Sequence, residues 1–229
     1  MIFSSVSHKG LVKKINQDKI KFLQTEGNAL FIVCDGLSGL DSGEIASEIC
    51  VESTISFFSQ EIRNPKNTIR KALLYANEKI IDSKLGKMGS TIALVYIKKN
   101  ELYGAWSGDS RIYHIREQKV KWISKDHIVL HDLLNKGHIK KDLIYSPSAL
   151  TRYIGSKHNH NPEIINFPIK KDDIILISSD GLYNFIPENI ILDIVSNFTP
   201  SDASTRLKNK LLEKKVNAPD NFSWFIIKI

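Results

Sequence analysis

The run Leu30-Phe31-Ile32-Val33-Cys34-Asp35-Gly36 joins a short apolar segment to an acidic residue and a glycine. An apolar run of this length before a turn signal predicts a buried strand. A carboxylate at the end of a rigid strand is well placed to bind a cation, and the following glycine lets a ligand approach the backbone closely. A single Asp-Gly pair is usually a simple turn. The run therefore indicates a cation site only if other acidic residues occupy similar positions next to strands.

Three further aspartates share this setting. Asp180 ends a second apolar run and precedes a glycine, Asp18 follows an Asn-Gln pair, and Asp220 precedes the last apolar segment of the chain. Aspartate oxygens are hard ligands, which suit Mg²⁺ or Mn²⁺ better than softer metals. Carboxylates that cluster without cations repel one another, so that some of them take up protons. Together with Asp35, the three residues predict a site for hard divalent cations.

The rest of the chain alternates runs of strands with pairs of helices. Period-two patterns and short apolar runs predict strands over 1–7, 19–25, 30–34, 90–97, 102–107, 111–115, 120–123, 163–167, 174–178 and 222–229. Helical spacing predicts helices over about 43–59, 68–83, 187–196 and 201–215, and a short helix with a loop within 127–148. Because short turns join most of the strands, we expect antiparallel sheets in an α+β protein.

Apolar stripes predict which face of each early helix reaches the core. In the first helix the stripe consists of Ile45, Ile49, Ser53 and Phe57. In the second helix it consists of small and aliphatic residues, namely Ile69, Ala72, Leu73, Ala76 and Ile80. Because these residues recur at helical spacing, both stripes are expected to pack against a sheet.

Size and composition favour one ordinary globular domain. The chain has 229 residues, of which 42% are hydrophobic, so it can bury a core without disulfides. Its two cysteines, Cys34 and Cys50, lie in apolar contexts and are expected to be buried free thiols. The 32 basic residues outnumber the 25 acidic ones but are spread along the chain, which favours a solvated surface over nucleic-acid binding. With no apolar run long enough to span a membrane and no signal peptide, the expected location is the cytoplasm.

Short motifs around the aspartates extend over nearly the whole chain. They are 10–18 (GLVKKINQD), 33–39 (VCDGLSG), 43–47 (GEIAS), 89–91 (GST), 108–113 (GDSRIY), 126–127 (DH), 150–155 (LTRYIG), 179–182 (SDGL) and 220–221 (DN). In order and spacing they resemble the metal-dependent protein phosphatases, the type 2C or PPM class, in their compact bacterial form. The resemblance implies a β-sandwich of two antiparallel sheets flanked by pairs of helices. It also implies a single domain over 1–229, with a flap-like segment at about 127–160.

The resemblance implies a role for each aspartate. Asp35 is expected to bridge two Mn²⁺ or Mg²⁺ ions, with the carbonyl of Gly36 as a further ligand. Asp180 and Asp220 are expected to hold the first ion, and Asp18 is expected to act at the second, mostly through water. A water molecule shared by the two ions would then attack phosphorus. The implied activity is hydrolysis of phosphoserine and phosphothreonine in proteins.

Two further residues belong to the expected site. Lys13 stands where the family usually has an arginine that grips the substrate phosphate, so the catalytic set is Asp35, Asp180, Asp18 and Lys13. Asp109 matches a position that supports a third, weaker ion in bacterial members. An ion pair with Arg111 within a hairpin turn explains Asp109 equally well.

Several residues depart from the family pattern. Lys13 offers a point charge instead of the bidentate fork of arginine. Ser38 and Leu40 alter the glycine-rich loop, and Leu37 cannot act as the histidine acid of many eukaryotic members. Gln17 stands where an acid is common. An active phosphatase is therefore weighed against a weak or inactive phosphoprotein-binding regulatory domain of the same fold, and against a hydrolase of small phosphate esters.

The implied partners are phosphorylated proteins, including a Ser/Thr kinase and the substrates of that kinase. A monomer is expected, with no nucleic-acid or membrane partner. Asp126 and His127 are expected to stabilise a turn. His127 and His131 are spaced for one helical face, but they lack companion ligands for zinc and are expected to lie in a surface loop.

Overall fold

The computed structural model describes residues 1–25, 27–37, 42–59, 62–129, 149–158 and 160–229. Its strands are β1 (Ile2–His8), β2 (Asp18–Thr25), β3 (Asn28–Asp35), β4 (Ile92–Lys98), β5 (Glu101–Ser107), β6 (Arg111–Arg116), β7 (Lys119–Ile123), β8 (Glu163–Pro168), β9 (Ile174–Ser178) and β10 (Phe222–Lys228). Its helices are α1 (Gly43–Ile55), α2 (Pro65–Asp82), α3 (Asp180–Tyr183), α4 (Glu188–Asn197) and α5 (Pro200–Leu212).

The strands form two five-stranded sheets. Sheet I has the order β1-β10-β9-β6-β7, and sheet II has the order β2-β3-β4-β5-β8. All neighbouring strands are antiparallel, which confirms the predicted α+β sandwich. Because β1 pairs with β10, with His8 opposite Phe222, the chain entering β2 lies beside the chain entering β10. This pairing brings acidic residues from the two ends of the sequence together.

Strand β3 is buried on both faces, which explains its continuous apolar run. Phe31 and Val33 belong to the core between the sheets, where Phe31 lies edge-on to Phe225 with ring centroids 5.2 Å apart. The alternate residues Ile32 and Cys34 belong to a second core beneath α1 and α2. Successive side chains of a strand point to opposite faces, so a strand between two apolar layers needs apolar residues throughout.

A pair of helices covers the outer face of each sheet. Helices α1 and α2 pack on sheet II, and α4 and α5 pack on sheet I. The predicted stripe of α2 is confirmed, since all of its members are buried. The predicted stripe of α1 is right only in part, because Ile49 and Phe57 pack against the core while Ile45 is exposed. The fully buried face instead carries Ala46, Cys50, Val51 and Thr54. Apolar residues occur around much of α1, and contact with both α2 and sheet II selects the smaller ones.

Further predictions from the sequence concern the cysteines, the segment near the middle of the chain and the number of helices. Cys34 and Cys50 are buried free thiols, as predicted. The helix and loop expected within 127–148, and most of the flap-like segment expected at 127–160, lie outside the described residues. Helix α3 was not predicted, since four residues carry too little periodicity. Among the described residues, no helix has the length and apolar character needed to cross a membrane.

Candidate metal and phosphate site

The deepest part of the site lies where β2 begins and β3 ends. Asp18 and Asp35 are directly opposite each other in the antiparallel register. Asp18 is 1% exposed, whereas Asp35 is partly exposed, and the surface around Asp35 is named the acidic cleft. Since opposite residues of an antiparallel pair lie about 5 Å apart, the register alone places two carboxylates together.

The backbone of Asp35 is held by Ser90 and Thr91, the two residues before β4. Its N–H donates to Thr91 Oγ1 at 3.0 Å, and its carbonyl oxygen accepts from the Thr91 N–H at 2.8 Å and from Ser90 Oγ at 3.0 Å. Thr91 Oγ1 also lies 2.6 Å from Ser110 Oγ. These contacts give the Gly-Ser-Thr motif a structural role, because they fix the position from which Asp35 projects.

Asp180 joins the same cleft from sheet I. It opens α3 directly after β9, and its Oδ2 accepts from Asn184 Nδ2 at 3.0 Å. The preceding residue, Ser179, donates from Oγ to Asp18 Oδ2 at 2.7 Å. This hydrogen bond crosses from sheet I to sheet II, so it locks the acidic ends of β2 and β9 against each other.

Asp220 and Lys13 form one wall of the cleft. Lys13 Nζ lies 3.0 Å from Asp220 Oδ1, and both side chains are about one-third exposed at 33% and 36%. Leu11, Val12 and Ile15 in the same loop are exposed. Lys13, which is expected to bind the substrate phosphate, is therefore present at the cleft. Its ammonium group is paired with Asp220, which is expected to bind metal.

Asn221 holds the Lys13 loop against β10. Its Nδ2 donates to the carbonyls of Lys9 and Ile15 at 2.8 and 3.0 Å, and its Oδ1 accepts from the Gln17 N–H at 2.9 Å. The Asp-Asn motif thus combines a carboxylate that faces the cleft with an amide that shapes it. Sequence reasoning identified the pair but not this role of the asparagine.

Asp109 lies in the turn between β5 and β6. Tyr183 donates its hydroxyl to the Asp109 carbonyl at 2.7 Å, which links this turn to α3 and so to Asp180. Arg111 does not form the predicted ion pair with Asp109. It binds Asp126 with two hydrogen bonds of 2.8 and 2.7 Å, and its guanidinium lies over the ring of Tyr183 at 3.5 Å. Both oxygens of Asp126 accept from Arg111, and such a bidentate, charge-assisted pair is stronger than a single contact.

His127 contacts the turn between β5 and β6, which agrees with its expected role in a turn, but it is 3% exposed, so the expected position in a surface loop is wrong. Its N–H donates to the Gly108 carbonyl at 3.0 Å, its Nδ1 accepts from the Gly108 N–H at 3.2 Å, and its Nε2 lies 3.1 Å from Glu163 Oε1. Arg152 donates to the same Glu163 oxygen at 3.4 Å. His131, the proposed zinc partner, lies outside the described residues, as do Ser38 and Leu40 of the altered loop.

The carboxyl groups of the cleft perturb one another strongly. Burial, followed by the charges of Asp18, Asp180, Asp109 and Asp220, raises the pKa of Asp35 well above its usual range. Burial and the nearby charges of Asp180 and Asp220 raise the pKa of Asp18 to about 7, although hydrogen bonds from serines oppose the shift. The four acids whose charges act on Asp35 therefore lie near it, at one end of the sandwich.

The pKa values of Asp109 and Asp180 are raised for the same reasons. Burial and then the charge of Asp180 raise the pKa of Asp109 to about 7. Burial and then the charge of Asp220 raise the pKa of Asp180, while a hydrogen bond with Asp35 and the charge of Lys13 lower it. A cation in the cleft would reverse these shifts, since it favours the ionised carboxylates.

The donor set fits hard divalent cations. Within the described residues, the buried Oδ1 of Asp18 has no hydrogen-bond partner, as expected for an atom shaped for another ligand. Hard oxygens suit Mg²⁺ or Mn²⁺. No group of three acids, histidines or cysteines in the described chain is close enough to form a complete metal shell. Mg²⁺ usually keeps several of its waters, so a more open set of carboxylates is compatible with it.

The glycines of the two Asp-Gly pairs were expected to let a ligand approach the backbone, but the structure gives them a role in chain packing. A Cβ on Gly36 would lie 2.1 Å from the carbonyl oxygen of Gly43 at the start of α1, and a Cβ on Gly181 would lie 1.8 Å from the carbonyl oxygen of Asn221. Both glycines allow backbone segments to cross closely beneath the cleft. Chain packing therefore accounts for them without a ligand.

Comparison with known proteins agrees with this geometry. Residues 7–214 match the family described as protein phosphatase 2C. A putative protein phosphatase of Mycoplasma genitalium is 32% identical over 216 residues, which cover 85% of this chain and 83% of that protein. The serine/threonine phosphatase stp of Listeria welshimeri is 28% identical over 206 residues, which cover 82% of this chain and 81% of that protein.

Solved structures show a similar fold. The S. agalactiae serine/threonine phosphatase has a TM-score of 0.88 at 23% identity, covering 100% of this chain and 99% of the other. The catalytic domain of the phosphatase PstP, in complex with 2 manganese ions, has a TM-score of 0.82 at 22% identity, covering 98% of this chain and 96% of the other. At these identities the likeness establishes the architecture of the chain.

Proposed function

The chain belongs to the protein phosphatase 2C family, and on that premise we propose that it hydrolyses phosphoserine and phosphothreonine in proteins with the help of divalent cations. The observation that carries the proposal is the convergence of acidic residues around Asp35, whose pKa is raised by burial and by the charges of Asp18, Asp180, Asp109 and Asp220. Clustered carboxylates destabilise a protein that binds no cation, whereas a bound cation stabilises their ionised forms.

The proposed ligands follow the positions of the carboxylates. Asp35 and the carbonyl of Gly36 would contact two ions, Asp180 and Asp220 would contact the first, and Asp18 would act at the second. Asp109 would serve a third, weaker ion. Bound Mn²⁺ or Mg²⁺ would supply Lewis acidity at the phosphoryl oxygens and would lower the pKa of water.

The residues of the chain would orient the reactants. Lys13 would bind the substrate phosphate, since its Nζ already lies at the rim of the cleft beside Asp220. Ser179 and Thr91 keep Asp18 and Asp35 in place, so that little reorganisation would be needed when substrate binds. Leu37 carries no ionisable group, so the proton for the departing alkoxide would come from solvent in the cleft.

The proposal is tested with the purified chain and a phosphothreonine peptide in the presence of Mn²⁺. We expect turnover that EDTA abolishes, and we expect Asp35→Asn to lower kcat/KM by about 100-fold or more. Asp193→Asn, at an exposed acid on α4, is the matched control and should retain full activity. Circular dichroism establishes that both variants are folded. Full activity of Asp35→Asn would contradict the proposed mechanism.

A second candidate is a phosphoprotein-binding domain with weak or no turnover. The ion pair between Lys13 and Asp220 favours it, because a phosphate would have to compete with the Asp220 carboxylate for the lysine. In that case the chain would bind the phosphothreonine peptide in the presence of Mn²⁺, while single-turnover experiments would release no phosphate. Release of phosphate from this peptide but not from a nucleotide would exclude both this candidate and a small-ester hydrolase.

The biological setting follows from the same proposal. The partners would be phosphorylated proteins, including a Ser/Thr kinase and its substrates, in the cytoplasm. The whole chain would act as one monomeric domain, with the segment 127–160 as a flap beside the cleft. Light scattering after size exclusion tests the oligomeric state, and deletion of 131–147 with retained folding tests whether the flap is a separable element.

A further inference from the structure

A surface cavity of about 690 Å³ lies at the end of sheet I that is opposite to the acidic cleft. Its walls come from the end of β6 and the turn into β7, the residues before β9, the end of β10 and the last turn of α4. Strands β6, β9 and β10 each have one end near the acidic cleft and the other at this cavity. At about 3.3 Å per residue, the two sites are roughly 15–20 Å apart.

Basic side chains dominate the cavity. The basic residues in its lining are Arg116, Lys121, Lys170, Lys171 and Lys228, and the acidic ones are Glu117 and Asp172. Lys121 pairs with Glu117 at 3.3 Å, and Lys228 pairs with Asp172 at 3.4 Å. In the part of the chain that is described, Lys170 and Lys171 form no ion pair, and both are exposed. The cavity therefore has an excess of positive charge that an anion would neutralise.

A buried carboxylate fixes the basic wall. Asp173 is 0% exposed and accepts from Arg116 Nε and Nη2 at 2.6 and 2.7 Å, from the Lys170 N–H at 2.9 Å, and lies 2.9 Å from His114 Nε2. These bonds hold the guanidinium of Arg116 and the turn that carries the two lysines. Because the guanidinium and the turn are already in place, a ligand would need to order only the side chains of the two lysines.

The cavity also offers a hydroxyl and an apolar floor. Ser196 lines it from α4, and the buried Oγ of this serine has no hydrogen-bond partner among the described residues. Ile115 and Ile174 line the same cavity and are almost fully buried. A buried hydroxyl without a partner is costly, and an acceptor oxygen of a ligand would remove that cost once the Ser196 side chain rotates towards the cavity.

We propose that this cavity binds a compact anion with two or more phosphoryl groups, either inorganic polyphosphate or the polyphosphate chain of a nucleotide. Lys170 and Lys171 would contact its oxygens as point charges, and Arg116 would add the N–H groups that Asp173 does not use. Ser196 would donate its hydroxyl. The site is separate from the acidic cleft, so its ligand would bind whether or not the cleft is active.

The test measures binding of inorganic triphosphate by calorimetry in EDTA at 0.15 M salt. Without cations the acidic cleft repels the anion, so the signal reports the basic cavity. We expect Lys170→Glu with Lys171→Glu to weaken binding by about tenfold or more, since charge-assisted hydrogen bonds are lost. The control, Lys66→Glu with Lys71→Glu, removes the same charge from exposed positions of α2 and should change affinity by less than about threefold.

Equal weakening by both double variants would overturn the proposal, because the binding would then follow net charge alone. Absence of binding by the unaltered protein at millimolar triphosphate would also overturn it. Ser196→Ala should weaken binding about threefold while the protein keeps its stability. ATP that binds more tightly than triphosphate would identify the nucleotide as the source of the phosphoryl groups, and equal affinities would identify inorganic polyphosphate. Either result supports the site.

Discussion

Strands β6, β9 and β10 connect an acidic cleft at one end of sheet I with a basic cavity at the other. In the cleft, Asp18 and Asp35 lie among further acids, and burial raises the pKa of each. At the opposite end Asp173 is also fully buried, but Arg116 and two further donors more than offset the effect of burial and lower its pKa to about 2. A buried carboxylate is thus neutralised by protein at one end, while at the other it depends on protons or added cations.

The largest expected effect comes from removing the buried charge at the basic end. Asp173→Asn should lower the free energy of unfolding by about 3 kcal/mol, because Arg116 and His114 lose their common partner in a buried network. Urea denaturation measures this loss. Asp172→Asn, at the exposed neighbouring residue, should change stability by less than about 0.5 kcal/mol. Equal losses in the two variants would show that the buried network is not the cause.

The two ends should respond to pH in opposite directions in EDTA. Asp18 and Asp109 have a pKa of about 7 in the folded state and a reference value of 3.8, so the folded state takes up protons as the pH falls from 8 to 5. Stability should therefore increase over this interval, by about 2 kcal/mol or more. Asp173 has the lowered pKa, so its contribution should be lost as the pH falls below about 4 towards 2.

Melting temperatures in EDTA between pH 2 and 8 measure this pH dependence. Addition of Mn²⁺ should remove the increase between pH 8 and 5, because a cation favours the ionised acids. Asp18→Asn should reduce the same increase without altering the loss below pH 4. A melting temperature that stays constant from pH 8 to 5 in EDTA would contradict the account of the acidic cleft.

A smaller effect, on KM, is expected from a change of Lys13 beside the acidic cleft. Lys13→Arg should lower KM for a phosphothreonine peptide about threefold to tenfold with little change in kcat, because a guanidinium can bind phosphate with two parallel hydrogen bonds. Lys14→Arg, at an exposed neighbouring residue, is the control and should leave KM unchanged. An unchanged KM in Lys13→Arg would indicate that the ion pair with Asp220 keeps this side chain from the substrate.

Much of the fold could be predicted because the strands and α2 repeat their apolar residues with clear periods. The face of α1 could not, since apolar residues lie around much of this helix and only its contacts with α2 and sheet II select Ala46 and Cys50. Asp18, Asp35, Asp180 and Asp220 were predicted from their positions next to strands, whereas Asp109 was predicted only from the resemblance to the phosphatase family. The partner of Arg111 was missed because Asp126 is 15 residues away and reaches it only through the pairing of β6 with β7.

The amino-acid sequence by itself determined the class of fold and the acidic character of the candidate site, because strand periodicity and Asp-Gly turns are local properties. Tertiary structure alone decided that Asp18 shares a hydrogen bond with Ser179, that Asp220 pairs with Lys13, and that a basic cavity forms at the far ends of the same strands. These contacts join residues far apart in the chain, and a local pattern carries no information about which strands become neighbours.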